Sequence, residues 1–366
     1  MKVMFMTNLP SPYRVEFFNE LGKRCELTVI YERLTATNRS NKWKGKSAQS
    51  FKEIYLSGKS IGKESSLSYK IINHLKYNKY DIIVLSGYSS PTSMIAITYL
   101  RMKKIPFILS SDGGIIKNDN KIMYMIKRSF ISKASAWLST GEMTSKYLIH
   151  YGAHKDKIYD YPFTSVAEKE VLLMPTSREK KENIKNDLKI PEEKVVLSVG
   201  QFIYRKGFDT LIKSCSKIDK NIGIYIVGGK ATQEYINLKE QYGNNNLHFV
   251  DFKSKEELSK YYMAADVFVL PTREDIWGLV VNEAMSKGLP IITTYKCVAG
   301  TELVKNNGYL IPAENDEILA EKISMLMSGN ADRYKMAKES LKTIKSYTIE
   351  NMSKKHIEIF NSFLKK

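Results

Sequence analysis

The chain has 366 residues, 43% of them hydrophobic, and a formal net charge of +18. This length suffices for two domains, and no apolar run approaches the roughly 20 residues that a membrane span needs. The three cysteines, Cys25, Cys215 and Cys297, are widely spaced without a CxxC pair, so the sequence indicates neither a disulfide framework nor a zinc site, which fits a reducing cytosol.

The positive charge is concentrated in the first half of the chain. Residues 1–165 hold 26 Lys and Arg against 12 Asp and Glu, a net +14, which leaves 31 against 27, or +4, for the remainder. Nucleic acid, an anionic membrane surface and a phosphorylated ligand all suit such a surface. A lysine-rich solvated surface without a specific partner explains the charge equally well.

Strand-like and helix-like segments alternate in the first half. The opening MKVMFMTNLP is broken by proline too early for a signal peptide and predicts a strand, after which SPYRVEFFNELGK has helical spacing. Such alternation is typical of a parallel, doubly wound sheet. The polar region 36–66 is predicted as a loop or mobile insertion. The predicted strands are 2–6, 26–31, 81–86, 105–110, 135–139 and 157–162.

The alternation restarts after a polar stretch at 177–194, which predicts a second α/β domain. Ligands of such sheets bind at the carboxyl ends of the strands, so we expect two crevices that face a central cleft. The predicted strands are 194–200, 222–229, 247–250, 266–271, 289–294 and 309–312. The predicted organisation is a first domain at 1–170, a linker at 171–193, a second domain at 194–345 and a C-terminal helix at 346–366 that packs on the first domain.

Two adjacent cations, Arg205 and Lys206, follow the strand that ends at Gly200, and Gly207 then opens a helix. Cations beside a helix amino end favour an anion, because backbone N–H groups and the helix dipole add to their charge. Arg binds phosphate in bidentate fashion and Lys binds it as a point charge. The pair predicts a phosphate site, with an exposed basic loop as the alternative.

A glycine pair, Gly228 and Gly229, ends the following strand. Glycine permits a positive φ and close approach of a ligand to the backbone. The alternative is an ordinary β-to-α turn. The surrounding sequence is not GxGxxG, so it does not support a dinucleotide-binding site.

Two acids, Asp275 and Glu283, lie on either side of the predicted helix start at Gly278. Asp275 falls in the strand-exit loop, and Glu283 lies about one and a half turns into the helix. The first-turn N–H groups of Gly278, Leu279 and Val280 lack intrahelical partners and would bind phosphate, while carboxylates accept hydrogen bonds from sugar hydroxyls. The alternative is that a lysine pairs with Glu283 and that Asp275 caps the helix.

Together these motifs resemble the family 4 retaining glycosyltransferases, which have the GT-B fold. The resemblance rests on the R-K-G loop, the glycine turn and TREDIWGLVVNEAMSKGLPII, which matches in register over about twenty residues. The segment NLPSPYRVEFFNELGKRCELTVIYE is similar to the start of bacterial polysaccharide-assembly members. The implied architecture is two Rossmann-like, doubly wound domains that face a central cleft.

The resemblance implies a donor site in the second domain. Glu283 matches the family acid that holds the nucleotide ribose, and Asp275 matches the one that contacts the donor sugar, although Asp is shorter than the usual Glu. Lys206 matches the diphosphate lysine, but Gln201 replaces the usual arginine, so Arg205 is expected to supply that charge. The implied donor-binding residues are Gln201, Arg205, Lys206, Gly228, Asp275, Gly278, Leu279, Val280 and Glu283.

The resemblance places the acceptor on the first domain. Where the family often has a histidine after the fourth strand, this chain has Asp112, which is expected to orient the acceptor hydroxyl or contact the donor sugar. An Asp-Gly turn is the alternative. Tyr13 and Arg14 are acceptor-side candidates, with a plain helix start as the alternative, and Asp112 and Asp275 are the candidate catalytic residues. The histidines are not spaced as metal ligands or as an acid–base pair, so they are interpreted as structural or surface residues. They are His74, His150, His154, His248 and His356.

The implied function is transfer of a hexose from a nucleotide-diphosphate sugar, with a UDP-sugar favoured, to a hydroxyl acceptor. The acceptor would be a glycan or a polyprenyl-diphosphate-linked sugar in capsule or O-antigen synthesis. No metal and no cofactor are expected, because the cations and the helix end would stabilise the leaving diphosphate.

The implied location is the cytoplasm, at the inner face of the cell membrane, where a basic domain would meet anionic lipid. One alternative function is a nucleotide-sugar epimerase of the same fold. The other is a basic nucleic-acid-binding protein, but no recognised module for nucleic acid is present, so we expect no nucleic-acid partner.

Overall fold

A computed structural model describes residues 1–34, 47–61, 65–77, 79–243 and 245–365. The chain divides into two compact units, unit 1 (Met1–Ser165 and Thr348–Lys366) and unit 2 (Val166–Tyr347). No helix in the described ranges is both long and apolar enough to cross a membrane.

Strands and helices alternate along most of the chain. The strands are β1 (Lys2–Thr7), β2 (Glu26–Tyr31), β3 (Lys52–Tyr55), β4 (Lys59–Ile61), β5 (Ser65–Leu67), β6 (Ile82–Ser86), β7 (Ile108–Ser110), β8 (Ala136–Ser139), β9 (Ile158–Asp160), β10 (Lys194–Val199), β11 (Ile222–Val227), β12 (Leu247–Val250), β13 (Val267–Leu270), β14 (Ile291–Thr294) and β15 (Gly308–Ile311). The helices are α1 (Pro12–Gly22), α2 (Ile71–Tyr77), α3 (Pro91–Met102), α4 (Lys121–Ile131), α5 (Glu142–His150), α6 (Arg178–Leu188), α7 (Phe208–Ser214), α8 (Gln233–Tyr242), α9 (Lys255–Ala264), α10 (Leu279–Ser286), α11 (Val298–Leu303), α12 (Asp316–Ser328), α13 (Asn330–Ile344) and α14 (Ile349–Leu364).

Unit 1 contains a parallel sheet in the order β3-β2-β1-β6-β7-β8-β9. The chain leaves the central pair, β1 and β6, in opposite directions, which opens a crevice at the carboxyl ends of these strands. Within this unit α14 packs against α1, so the last described helix of the chain belongs to the same compact unit as the first.

The prediction of a loop or mobile insertion over 36–66 is wrong where this range contains β3, β4 and the start of β5. Strand β3 pairs in parallel with β2, and β4 pairs with β5 as a short antiparallel ribbon. The residues of β3 are largely exposed because it is an edge strand, so it lacks the apolar run by which buried strands are predicted. Residues 35–46 and 62–64 lie outside the described residues.

Unit 2 has a six-stranded parallel sheet in the order β12-β11-β10-β13-β14-β15. This is the doubly wound order in which the strand sequence reverses between β10 and β13, the switch point where ligands of such sheets bind. The segment 171–193, predicted as a linker, contains α6, and Lys181 of α6 is held 2.7 Å from Asp266 at the start of β13.

The core of unit 2 lies between the sheet and the helices on its faces. Fully buried apolar side chains from strands and helices meet there, among them Phe208, Ile224, Val267 and Leu319. Each buried side chain of this size contributes about 1.5–3 kcal/mol relative to an exposed one. A sheet covered on both faces needs such continuous apolar strands, which explains why they were predictable from the sequence.

A buried histidine, His356, anchors α14 in unit 1. Its ring lies 4.8 Å from that of Phe17 and 4.7 Å from that of Tyr161, and its Nδ1–H donates to the Met352 carbonyl over 2.8 Å. Burial lowers the pKa of His356 from 6.5 to about 4. The hydrogen bond to Met352 raises this pKa, whereas the nearby Arg14 charge lowers it further. The imidazole is therefore neutral in the folded protein at neutral pH.

We expect acid to destabilise unit 1 through His356. The pKa of His356 is lower in the folded than in the unfolded protein, so its contribution to the free energy of unfolding is complete above pH 6.5. This contribution is lost as the pH falls from 6.5 through about 4, a loss of up to about 3 kcal/mol. Denaturant unfolding at about pH 7.5 and about pH 4.5 measures it. The His356→Phe variant should lose less stability on acidification than wild type, whereas the exposed His154→Gln control should match wild type. Equal losses in all three would contradict this prediction.

Candidate active site

Glycines bring the loops of unit 2 together at the switch point. A Cβ added to Gly228 would lie 1.7 Å from the Gly200 carbonyl oxygen, so the turns after β10 and β11 touch through backbone. Gly207 has a left-handed φ of 68°, and a Cβ there would lie 2.1 Å from the Pro271 carbonyl oxygen. Only glycine permits these approaches, which place the loop after β10 against the loop after β13.

The acid and the cations predicted for the donor site meet in these two loops. Lys206 Nζ lies 2.6 Å from Asp275 Oδ2, and Arg205 Nη1 lies 3.4 Å from the same oxygen. The Asp275 side chain is 10% exposed and that of Arg205 is 44% exposed. Asp275 and Lys206 thus form a charge-assisted hydrogen bond below the surface, while Arg205 faces solvent and also donates to the Glu274 carbonyl over 2.9 Å.

Helix α10 begins directly beside this acid. Gly278 caps it with φ 101°, and a Cβ there would lie 2.8 Å from Cys297 Sγ, which requires glycine. The N–H groups of Leu279 and Val280 belong to the first turn, where a helix offers no acceptor of its own. The amino end of α10 therefore adds partial positive charge next to Arg205 and Lys206.

Glu283 is half-buried on α10, and one partner of its carboxylate is a phenol. Tyr262 Oη donates to Glu283 Oε2 over 3.0 Å. Burial, and then the Glu283 charge, raise the pKa of Tyr262, so the phenol stays protonated as a donor. Sequence reasoning missed Tyr262, because no motif places α9 beside α10. Gln201 lies exposed in the loop after β10.

The acceptor-side candidates Arg14 and Asp112 form an ion pair in unit 1. The Tyr161 hydroxyl donates to Asp112 Oδ1 over 3.3 Å, and Arg14 Nη1 donates to Ser86 Oγ over 3.4 Å at the end of β6. Burial opposes the charge of Arg14, but the nearby Asp112 side chain raises the pKa of the guanidinium, so Arg14 stays positively charged. The site thus holds a fixed carboxylate at the carboxyl edge of the sheet.

Tyr13 lies beside this pair. Its ring packs edge-on against that of Phe163 at 5.9 Å, and the Arg14 guanidinium lies 5.8 Å from its centroid. A small cavity is lined by Tyr13, Arg14, Asp112, Tyr161 and other side chains. Tyr161, which directly follows β9, was not singled out by sequence reasoning.

Metal ligands do not cluster in the part of the chain that the structure describes. No group of three or more His, Cys, Asp or Glu side chains there is arranged to hold an ion. Asp112 and Asp275 are instead each paired with a cation, which gives both acids the charge partner that a buried carboxylate needs.

Known sequences match this chain along most of its length. The family model described as Glycosyl transferases group 1 matches residues 179–343. The Klebsiella pneumoniae relative named "Uncharacterized 41.2 kDa protein in cps region" is 26% identical over 333 residues, which cover 85% of this chain and 89% of the relative. The N,N'-diacetylbacillosaminyl-diphospho-undecaprenol alpha-1,3-N-acetylgalactosaminyltransferase of Campylobacter jejuni is 21% identical over 234 residues, or 63% of this chain and 61% of the relative.

Solved structures match the fold of the whole chain. Anabaena HepE in complex with UDP aligns with a TM-score of 0.80 at 15% identity, covering 99% of this chain and 100% of that one. At this identity the likeness concerns the fold alone. It confirms the predicted fold class, an α/β protein with parallel sheets in two Rossmann-like halves.

Proposed function

We propose that this chain, a glycosyltransferase whose residues 179–343 belong to the glycosyltransferase group 1 family, is a retaining hexosyltransferase of the family 4 type that uses a nucleotide-diphosphate sugar. The observation that carries the proposal is the meeting of Arg205, Lys206 and Asp275 at the amino end of α10. Two cations and a helix amino end fit a diphosphate, and a neighbouring carboxylate fits sugar hydroxyls.

The proposed chemistry follows from the charges in this site. As the acceptor oxygen bonds to the anomeric carbon and the bond to the diphosphate breaks, negative charge grows on the leaving diphosphate. Lys206, Arg205 and the α10 amino end stabilise this charge, and the diphosphate takes up the proton of the acceptor hydroxyl. In the structure both cations share one oxygen of Asp275. When diphosphate takes these cations, Asp275 is released to accept hydrogen bonds from the donor sugar. Glu283, backed by the Tyr262 phenol, accepts from the ribose hydroxyls.

The proposed donor is a UDP-sugar, which is supported by the UDP bound in the structurally similar HepE. The proposed acceptor is a hydroxyl of a glycan or of a polyprenyl-diphosphate-linked sugar in cell-surface polysaccharide synthesis. The cps-region relative and the relative named for a diphospho-undecaprenol acceptor support this choice. Asp112, fixed by Arg14 and Tyr161, is proposed to orient the acceptor hydroxyl.

Incubation with a panel of UDP-, GDP- and ADP-sugars tests the proposal. We expect one donor to bind and, with a glycan or lipid-linked acceptor, to give a product that keeps the anomeric configuration, as read by NMR. An epimerised nucleotide sugar formed without acceptor would favour the epimerase instead. If no nucleotide sugar binds, the proposal is wrong.

The membrane contact proposed for this enzyme has a specific candidate in α4. Ile122, Met125 and Ile126 of this helix are 72%, 59% and 40% exposed, whereas Ile131 on the opposite side is buried. Side chains three or four residues apart share a helix face, so the three form one outward apolar stripe. Residues 116–133 hold five basic and one acidic side chain, a net +4. An apolar stripe among cations fits an anionic lipid interface at the cytoplasmic membrane face.

We expect the full chain to float with vesicles that contain anionic lipid and the variant Ile122→Gln/Met125→Gln to remain unbound. The apolar stripe enters the interface, and nearby basic side chains contribute on the order of 1 kcal/mol each. The matched control, Leu173→Gln/Met174→Gln, alters two exposed apolar residues of unit 2 and should float like wild type. Equal flotation with neutral vesicles, or retained binding of the α4 variant, would contradict the contact.

A further inference from the structure

Arg273 joins three strand-exit loops of unit 2. Its guanidinium donates in bidentate fashion to Asp209 at the start of α7, over 2.7 and 2.6 Å. Nε donates to Glu314 Oε1 after β15 over 2.6 Å, and Nη1 also donates to the Tyr204 carbonyl over 2.8 Å. The donors of one side chain thus connect the segments that follow β10, β13 and β15.

The guanidinium is also covered by an aromatic ring. Arg273 Cζ lies 3.9 Å from the ring centroid of Tyr204, whose hydroxyl in turn donates to Glu314 over 3.4 Å. A planar fork that binds one carboxylate with two nitrogens while it stacks on a ring is a geometry that lysine cannot reproduce. The position therefore requires arginine for its shape and not only for its charge.

The backbone beside Arg273 holds the cation loop directly. Its N–H donates to the Arg205 carbonyl over 2.9 Å, and Thr272 Oγ1 donates to the same oxygen over 2.8 Å. The held residues form a single 3-10 turn, Tyr204–Lys206, which is too short to be rigid by itself. Its geometry depends on contacts with the loop that carries Arg273.

We infer that Arg273 is a positioning residue for diphosphate binding, which it sets through Arg205 and Lys206. It fixes the register between the turn 204–206 and the loop 272–275, so that both cations bind one diphosphate together. Arg273 lies two residues before Asp275, the acid that those cations now share, so one loop controls both the cations and their counter-charge. The inference rests on the proposed function, since it assumes that the site takes a nucleoside diphosphate.

Calorimetric titration of the full chain with UDP, GDP and ADP, and with the matching nucleoside, tests this role. We expect Arg273→Lys to weaken the best nucleoside diphosphate by about tenfold or more while affinity for the nucleoside stays within about twofold. A merely structural role would reduce both affinities together through unfolding. Asp209→Asn keeps the side-chain volume, removes the bidentate charge pair and is expected to act in the same direction.

Arg333 supplies the matched control, because it too binds backbone carbonyls in unit 2, with Nη1 2.6 Å from that of Leu326. Arg333→Lys should leave both affinities unchanged. If wild type binds a nucleoside diphosphate and both Arg273→Lys and Asp209→Asn keep that affinity, the positioning role of Arg273 is wrong, but the proposed function is not affected. If wild type binds no nucleoside diphosphate, the proposed function fails and the inference fails with it.

Discussion

Replacing Lys206 with alanine is expected to lower sugar transfer by two to three orders of magnitude, about 2.7–4 kcal/mol of transition-state stabilisation. Lys206 is the cation closest to Asp275, at 2.6 Å, and the less exposed of the two cations that would face the leaving diphosphate. A fixed charge in such a site acts on the charge that develops in the transition state, because little water screens it. The measurement is kcat/KM with the donor that the nucleotide-sugar panel identifies.

The exposed Lys342 on α13 provides the control for the loss of one positive charge, and Lys342→Ala should transfer at the wild-type rate. Glu283→Ala is an independent test of the same site. It removes the carboxylate proposed for the ribose, so it should raise the KM for the donor more than it lowers kcat. Wild-type transfer by both Lys206→Ala and Glu283→Ala would show that the site is assigned to the wrong residues.

Which parts of the fold could be predicted depends on burial. Strands such as β10 and β11 are buried on both faces and appear in the sequence as continuous apolar runs with a terminal glycine. Strand β3 was missed because it lies at the sheet edge and exposes most of its side chains. Composition alone does not separate such an edge strand from a loop.

The parts of the candidate site whose residues lie close together in the sequence could be predicted. Asp275 and Glu283 share one strand–loop–helix segment, so their spacing implied their placement at the carboxyl edge. Tyr262 reaches Glu283 from another helix, and Asp209 binds Arg273 across 64 positions of sequence. Contacts of this kind depend on how elements pack, which no single-sequence spacing encodes.

A second large effect is expected from the ion pair of unit 1. Replacing Asp112 with alanine should destabilise the protein by about 3 kcal/mol, because it leaves the buried Arg14 guanidinium charged without its carboxylate. The value is at the low end for buried pairs, since the Asp112 side chain retains 23% exposure. Denaturant unfolding near neutral pH measures the loss.

The double variant Arg14→Met/Asp112→Leu separates the two roles of this pair. Without either charge the apolar side chains should restore most of the stability, because the destabilisation of the single variant comes from one unpaired charge. Transfer should nevertheless stay low in both variants, since neither has the carboxylate proposed to orient the acceptor hydroxyl. A double variant as unstable as Asp112→Ala would contradict the unpaired charge as the cause. Full transfer by the double variant would contradict a role of Asp112 in acceptor binding. It would show that the ion pair only stabilises the fold.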